Sequence, residues 1–127
     1  MKISTKAKYG IRALTYLVKQ KKCCSIKEIS DNQKIPYDYL AKIFLKLKTS
    51  NIVKVKHGSL GGYLLASEAN KISIGEIIRS LEGSTNLVKC AELGKCSFQN
   101  CIAANLWKKF QKRINESLDS LTLADSF

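Results

Sequence analysis

The chain has 127 residues, the size of one domain or of one domain with a small appendage. Its 45% hydrophobic content is enough for a core, and no apolar run approaches the roughly 18 residues that a membrane span needs. The formal net charge of +12 lies almost entirely in residues 1–56, which hold 14 Lys and Arg against three acids. A basic half joined to a nearly neutral half predicts a polyanion-binding portion and a separate portion for assembly or sensing.

The amino-terminal segment predicts a helix and lacks an export signal. Residues 5–20 carry apolar side chains at helical spacing, namely Ala7, Ile11, Leu14, Leu17 and Val18. The residues before them lack the apolar run and cleavage site of a signal peptide, so we expect a cytoplasmic protein. Structural disulfides are rare in that compartment, and we interpret Cys23 and Cys24 as small buried or half-buried side chains.

A second helix is predicted from Ser25 to about Asn32. Ser25 and Glu28 have the spacing of a capping box. In that motif the Ser hydroxyl accepts from the N–H of Glu28, and the Glu carboxylate accepts from the N–H of Ser25. A turn of a few residues follows.

A third helix is predicted from Tyr37 to about Thr49, with Pro36 at a first-turn position. Its apolar face consists of Leu40, Ile43, Phe44 and Leu47. Two helices joined by so short a turn form a helix-turn-helix unit, whose second helix can enter the major groove of DNA.

A basic hairpin is predicted directly after these helices. Residues 52–55 and 63–65 have strand character, and three glycines (Gly58, Gly61 and Gly62) mark the turn between them. A hairpin in this position is a wing. Its basic residues would lie near phosphates or in the minor groove, and its glycines would let the backbone approach DNA closely.

The second half predicts a helix, a loop and a long helix. Ser73 and Glu76 form another capping-box pattern, which opens a helix through about Leu81. Residues 82–101 have weak periodicity and predict a loop. Apolar residues then recur every three or four positions over residues 102–121, as in a helix of about five turns. We expect this helix to be a dimer seam, the alternative being that it folds back on its own core.

Three cysteines of the predicted loop form the most distinctive pattern. Cys90, Cys96 and Cys101 place three thiols in a short segment that contains glycine. Three thiolates so placed can hold a soft metal or an iron–sulfur cluster. Their gaps of five and four residues differ from the short gaps of many zinc sites. A thiol-based redox switch and unrelated free cysteines are the alternatives.

The motifs together resemble a known family. Residues 4–10 (STKAKYG), 35–43 (IPYDYLAKI) and 58–65 (GSLGGYLL), followed by three Cys and a Trp-containing helix, are similar to the IscR/NsrR (Rrf-type) winged-helix transcription regulators. The resemblance covers essentially the whole chain. It implies a homodimeric regulator, most simply a repressor, of a palindromic operator in double-stranded DNA. It also implies an iron–sulfur cluster in the cysteine loop that senses cluster status, nitric oxide or redox state.

Three positions depart from the family pattern. Relatives commonly carry a ligating His where this chain has Ala104, or a ligating acid where it has Lys8, which cannot ligate while protonated. The wing has His57 where the family usually has Arg. The missing fourth ligand favours a [4Fe–4S] cluster with one open iron. A [2Fe–2S] cluster is the alternative, with Glu92, Asn105 or His57 as the candidate fourth ligand.

The predicted DNA-binding residues lie on the third helix, on the wing and near helix amino termini. They are Ser4, Lys6, Lys27, Tyr37, Tyr39, Lys42, Lys56, His57 and Gly58. Tyr37 and Lys42 are the predicted contacts to base edges or phosphates, and the residues near helix amino termini would hold phosphates. Tyr39 can instead pack within the fold.

The predicted fold class is mainly α with a small β-hairpin: a winged helix-turn-helix plus a long carboxy-terminal dimerisation helix. Its parts are a DNA-binding domain in residues 1–82, a cysteine cluster-binding loop in residues 83–101, and a dimerisation helix and tail in residues 102–127. No catalytic triad, paired-carboxylate pocket or phosphate-cradling Gly motif stands out, so we do not expect an enzyme. The alternatives are a cluster-free repressor with a thiol switch and a zinc-stabilised interaction module, which the uneven charge disfavours.

Overall fold

A computed structural model describes residues 2–87 and 101–127. Within those ranges it contains five α-helices and one antiparallel hairpin, and this confirms the predicted fold class. The helices are α1 (Thr5–Gln20), α2 (Ile26–Gln33), α3 (Tyr37–Thr49), α4 (Ile74–Glu82) and α5 (Ala104–Ser120), and the strands are β1 (Val53–Lys56) and β2 (Gly62–Leu65). Short 3-10 turns cover Ala69–Lys71 and Leu123–Ser126. In the described ranges, none of the helices combines the length and the apolar character needed to cross a membrane.

Helix α1 lies at the centre of the amino-terminal head, the part of the chain from α1 to α4 (residues 2–82). The Ser4 hydroxyl caps it by accepting from the N–H of Ala7 at 3.1 Å. At its other end Lys21 adopts the left-handed conformation and donates its N–H to the carbonyl of Leu17. A Cβ on Gly10 would lie 2.5 Å from a Leu81 methyl group, so the absence of a side chain there lets α4 pack closely on α1.

The core joins α1, α3 and α4 with the end of the chain. The four apolar residues predicted on α3 are all buried, namely Leu40, Ile43, Phe44 and Leu47. Leu123, which follows α5, is fully buried in the same core. Its N–H donates to the carbonyl of Ile72, and the N–H of Ile74 donates to the carbonyl of Leu121. The carboxy-terminal end of α5 is therefore fixed to the head.

The turn between α2 and α3 is held by one buried serine. Ser30 donates its hydroxyl to the carbonyl of Ile35 at 2.5 Å, and the N–H of Ile35 returns to the carbonyl of Ser30. Lys34 takes the left-handed conformation that reverses the chain. These contacts set the angle at which α3 projects from the head.

The capping box predicted at the start of α2 is half correct. The Ser25 hydroxyl accepts from the N–H of Glu28 at 3.0 Å, as expected. The Glu28 carboxylate instead accepts from the Tyr16 hydroxyl at 2.9 Å and lies 3.8 Å from the ammonium of Lys22. The Tyr16 hydroxyl of α1 and the Lys22 ammonium hold the carboxylate there, and the spacing of Ser25 and Glu28 gives no sign of either partner. At Ser73 and Glu76 both predicted capping bonds are present.

Candidate DNA-binding face and cysteine segment

Helix α3 presents a polar face opposite its buried stripe. Tyr37 is the first residue of the helix and 53% of its surface is exposed. Lys42 is exposed on the side opposite the buried stripe, with Asp38, Leu45 and Thr49 on the same side at helical spacing. Sequence reasoning identified Tyr37 and Lys42 but missed Leu45, which is 62% exposed although leucine usually marks a core position.

Tyr39 packs within the fold rather than projecting freely. Its half-buried ring meets the ring of Tyr9 edge to face, with centroids 5.7 Å apart. The guanidinium of Arg12 lies 5.1 Å from the centroid of the same Tyr9 ring. The alternative anticipated from the sequence, that Tyr39 packs within the fold, describes its position in the structure, where it lies between α3 and α1.

The three residues predicted to bind phosphate near helix amino termini differ in their exposure and in their contacts. Ser4 is half-buried, and its hydroxyl is occupied by the cap while its N–H donates to the Glu82 carboxylate at 3.0 Å. Lys27 is exposed on α2. The close approach of Lys6 lowers the pKa of Lys46 on α3, because the two positive charges repel each other. Sequence reasoning missed Lys46 because its partner is far away along the chain.

The wing carries its lysines on the outer side. Strand β1 alternates buried or half-buried valines with the exposed Lys54 and Lys56. His57 and Gly58 are exposed in the turn, where Gly58 has a φ of +114°. The predicted wing residues therefore share one accessible hairpin.

The wing is attached to the chain after α1 by a backbone bridge. The N–H of Cys24 donates to the carbonyl of Tyr63 at 3.0 Å, and the N–H of Tyr63 donates to the carbonyl of Cys24 at 2.8 Å. A Cβ on Gly62, which has a φ of +150°, would lie 2.6 Å from the carbonyl carbon and oxygen of Cys24. Glycine at this position is therefore what allows the wing to dock.

Cys23 and Cys24 have the burial that the sequence predicted. Cys24 is fully buried and Cys23 is half-buried. Burial is the main cause that raises the pKa of the Cys24 thiol to about 11, and the hydrogen bond and negative charge of Glu28 act in the same direction. The thiol of Cys24 is therefore protonated and inert at neutral pH.

Of the three clustered cysteines, Cys90 and Cys96 lie outside the described residues and Cys101 lies within them. Cys101 is half-buried, and its carbonyl accepts from the N–H of Ala104 at 3.2 Å, immediately before α5. It forms no disulfide with another residue of the described ranges. Residues 2–87 and 101–127 contain no group of three His, Cys, Asp or Glu that could hold a metal by themselves.

The candidate fourth ligands are scattered. Glu92 lies outside the described residues, and Asn105 is exposed in the first turn of α5. His57 is exposed on the wing, Lys8 is exposed on α1, and Ala104 begins α5. The two described candidates, Asn105 and His57, therefore lie on different elements, α5 and the wing.

A buried glutamine fixes residues 85–87, just before the cysteine segment (residues 88–101, which contain Cys90, Cys96 and Cys101). Gln111 on α5 is only 5% exposed. Its Oε1 accepts from the N–H of Leu87 at 2.7 Å, and its Nε2 donates to the carbonyl of Thr85 at 3.0 Å and to Oδ1 of Asn115 at 3.0 Å. Leu87 is therefore held beside α5, and Cys101 lies immediately before the same helix. Sequence reasoning missed Gln111 because an isolated glutamine in a polar pattern indicates a solvent-exposed position.

Helix α5 exposes apolar side chains while burying a polar one. Leu106, Trp107 and Phe110 are 63%, 39% and 40% exposed, and the two aromatic rings meet edge to face at 6.2 Å. The neighbouring side of the helix holds Gln111 and Asn115 against residues 85–87. An exposed patch of large apolar side chains on a helix marks an interaction surface.

Comparison with known proteins identifies clear relatives. Residues 3–127 match the Rrf2 family, described as an iron-dependent transcriptional regulator. The HTH-type transcriptional regulator IscR of Vibrio vulnificus is 33% identical over 128 residues, covering 98% of this chain and 76% of the relative. The solved structure of T. potens IscR is 36% identical with a TM-score of 0.79, covering 99% of this chain and 85% of that one. CymR of B. subtilis, described as the global cysteine regulator, is 33% identical with a TM-score of 0.82, covering 98% and 95%.

These relatives are transcriptional regulators rather than enzymes, and this confirms the expectation drawn from the absence of a catalytic constellation. They also share the winged-helix architecture over nearly the full length of the chain.

Proposed function

The chain belongs to the Rrf2 family of transcriptional regulators, as its motifs predicted. On this premise we propose that it is a homodimeric repressor that binds a palindromic operator. We propose further that its affinity for DNA depends on an iron–sulfur cluster held by Cys90, Cys96 and Cys101. The observation that carries the DNA-binding part is the exposed face of α3 beside a lysine-bearing wing, in a half of the chain with 14 basic against three acidic residues. A regulator that acts on DNA in this way would work in the cytoplasm.

In the proposed complex, α3 enters the major groove and the wing lies over the adjoining minor groove. The exposed Tyr37 and Lys42 would reach base edges or phosphates, and Lys56 and His57 would reach the phosphates beside the wing. Gly58 would allow the wing backbone to approach DNA closely. The side chain of Tyr39 would position α3 through its contact with Tyr9.

The end of α3 offers a further phosphate position. Lys6 and Lys46 hold two ammonium groups close together, and their repulsion lowers the pKa of Lys46. A phosphate between them would relieve this repulsion and favour the charged form of both. Lys27 and the amino terminus of α1 at Ser4 would add contacts that position the head without reading sequence.

The exposed side of α5 supports the dimer. Leu106, Trp107 and Phe110 face outward, while the polar Gln111 is already satisfied within its own chain. A second copy of α5 would bury these side chains and relate the two heads by a two-fold axis. Such an axis matches the symmetry of a palindromic site.

The donor chemistry of the cysteine segment fits an iron–sulfur cluster. Thiolates are the usual ligands of such clusters, and Cys101, the one of the three that the structure describes, has a partly accessible thiol outside any disulfide within the described ranges. A bound cluster would supply a centre that reacts with nitric oxide and oxidants. The missing cysteine or histidine at the fourth position favours a [4Fe–4S] cluster with an open iron over a [2Fe–2S] cluster.

The connection from this segment to DNA runs through α5. Leu87, just before the segment, and Cys101, its last residue, are tied to α5 through Gln111 and Ala104. The other end of α5 is tied to the head by the ion pair of Arg79 with Asp119 and by the buried tail. A change at the three thiols would therefore reach the orientation of α5, and through the dimer the separation of the two α3 helices.

A cluster-free repressor with a thiol switch is the second candidate. The similarity to CymR, described as a global cysteine regulator, and the presence of Ala104 and Lys8 at the family's ligand positions favour it. Anaerobic purification followed by iron and sulfide analysis separates the two candidates. Protein with iron and sulfide in equal amounts supports the cluster, and colourless protein with zinc or no metal supports the thiol switch.

The DNA-binding proposal is tested by the salt dependence of binding to fragments that the protein selects from a random pool. If the dimer neutralises six or more phosphates, the affinity should fall by about 10³-fold or more between 50 and 200 mM salt. Lys42→Ala and Lys56→Ala should each weaken binding and make the salt dependence shallower, whereas Lys109→Ala, on α5, should change neither. A wild-type affinity that does not change with salt contradicts the proposal.

A further inference from the structure

The tip of the wing carries an exposed leucine. The N–H of Gly61 donates to the carbonyl of Gly58 at 3.0 Å, which closes a turn with Ser59 and Leu60 at its centre. Leu60 is 88% exposed, more than any other large apolar side chain in residues 2–87. A leucine held in water forgoes the stabilisation that burial would give.

The rest of the turn is built from residues with a structural reason for their identity. Gly58 and Gly62 have φ values of +114° and +150°, which side-chain-bearing residues rarely adopt. A Cβ on Gly61 would lie 2.0 Å from the carbonyl oxygen of Lys56. Ser59 and Leu60 are therefore the positions at the tip where a side chain can project, and one of them is strongly apolar.

Leu60 has little packing role within its own chain. It borders a cavity of about 840 Å³ between the wing and the end of α1, but this cavity is open and leaves most of the leucine in solvent. Replacement of Leu60 should therefore leave the folded state intact. The apolar side chain at this tip is therefore free to contact a partner.

The charges around Leu60 identify the kind of partner. Lys54 and Lys56 are exposed on the same hairpin, so a surface that receives the tip has to be anionic at its edges and apolar where Leu60 enters. The minor groove of DNA has this arrangement, with phosphates along its rims and sugars and base edges inside. Apolar side chains that enter a minor groove can partly unstack a base step and bend the duplex.

We propose that Leu60 is an apolar wedge that enters the minor groove beside the operator half-site, while the lysines of the wing hold the flanking phosphates. This inference rests on the proposed function, because it requires α3 to bring the wing onto DNA. It adds a bend of the duplex and a preference for flexible pyrimidine–purine steps under the wing tip, since those steps unstack most readily.

The inference is tested with the full-length protein and a fragment that the wild type selects from a random DNA pool. Leu60→Ser should weaken binding about tenfold, which corresponds to about 1.4 kcal/mol, and should reduce the bend measured by fluorescence energy transfer between the fragment ends. The salt dependence should not change, because leucine neutralises no phosphate. Leu60→Met should retain most of the affinity and bend, and Ser59→Ala, the neighbouring change at the tip, should retain both.

The possible failures are distinguishable. A wild type that bends DNA and binds it in a salt-dependent manner, together with a Leu60→Ser variant of equal affinity and bend, overturns the wedge and leaves the proposed function standing. A Leu60→Ser variant that alters only self-association also overturns it, because Leu60 would then face a second copy of the chain. A wild type that selects no DNA overturns the proposed function and this inference together. The thermal unfolding midpoint of the variant should match that of the wild type and so exclude misfolding.

Discussion

At the scale of single residues, Glu28 shows that a local sequence pattern predicts only some of a side chain's contacts. Its spacing from Ser25 predicted a reciprocal cap, and the backbone half of that cap is present. Its carboxylate binds the Tyr16 hydroxyl of α1 instead, because tertiary packing brings that donor within 2.9 Å. The contacts of Gln111 could not be predicted from local spacing either, because its partners Thr85 and Leu87 precede the cysteine segment in the chain and Gln111 follows it.

The Glu28 contact has a consequence for stability. The hydrogen bond from Tyr16 is the main cause that lowers the pKa of Glu28 in the folded protein. This hydrogen bond therefore stabilises the folded state at pH values above the ordinary Glu pKa of about 4.3. The stabilisation is lost as the pH falls through the lowered pKa that Glu28 has in the folded state. Tyr16→Phe should therefore reduce the free energy of unfolding by about 1 kcal/mol at pH 7 and by less in acid. Urea unfolding at several pH values measures this, with Tyr39→Phe as the control. An equal loss at all pH values would contradict the account.

At the scale of elements, the boundaries of α1, α3 and α4 follow from apolar spacing and from the capping serines of α1 and α4, and the structure confirms them to within a residue. Helix α3 has no side-chain cap, and Pro36 immediately precedes it instead of lying in its first turn. The start of α5 differs, because the chain forms a turn at Cys101 and enters the helix at Ala104 rather than at Ile102. The docking of the wing could not be predicted, since it depends on the pairing of Cys24 with Tyr63 across a long stretch of chain.

Wing docking predicts a sharp effect of one methyl group. In Gly62→Ala the new Cβ would meet the Cys24 backbone, which cannot move aside as a flexible side chain could. We expect a loss of about 1–3 kcal/mol in the free energy of unfolding, as for other overpacked positions, and weaker DNA binding as the wing shifts. Gly58→Ala is the matched control for stability alone, because it adds the same strain of a positive φ while its Cβ meets nothing within 4 Å. Similar stability for the wild type and Gly62→Ala would show that the wing is not fixed at this contact.

At the scale of the whole molecule, the winged head and the long carboxy-terminal helix could be predicted because each has its own local pattern, and the cysteine loop between them stays a prediction. The position of the tail could not be predicted, since Leu123 is a single apolar residue and yet it completes the core of the head. Together with the ion pair of Arg79 and Asp119, it attaches the carboxy-terminal end of α5 to the DNA-binding head. The proposed dimer and the proposed control by the three thiols both depend on this attachment.

The dimer proposal predicts a separable defect. Phe110→Ser removes an exposed aromatic side chain from α5, so it should weaken self-association and, by separating the two heads, lower DNA affinity at least tenfold. The monomer should remain folded, because Phe110 is 40% exposed within its own chain. Analytical ultracentrifugation over a concentration series measures the association, with Lys108→Ala, an exposed lysine on the opposite side of the helix, as the control. Unchanged association would place the dimer contact elsewhere.

The central claim is that the state of the three thiols sets the affinity for DNA. The most direct measurement compares anaerobic protein with a bound cluster and the same protein after cluster removal, on one operator fragment at fixed salt and with free thiols kept reduced. We predict that the two dissociation constants differ by roughly 5-fold to 150-fold, the usual range of coupling between two sites, and that Cys101→Ser abolishes the difference. Equal affinities for the two forms of the wild type would contradict the account.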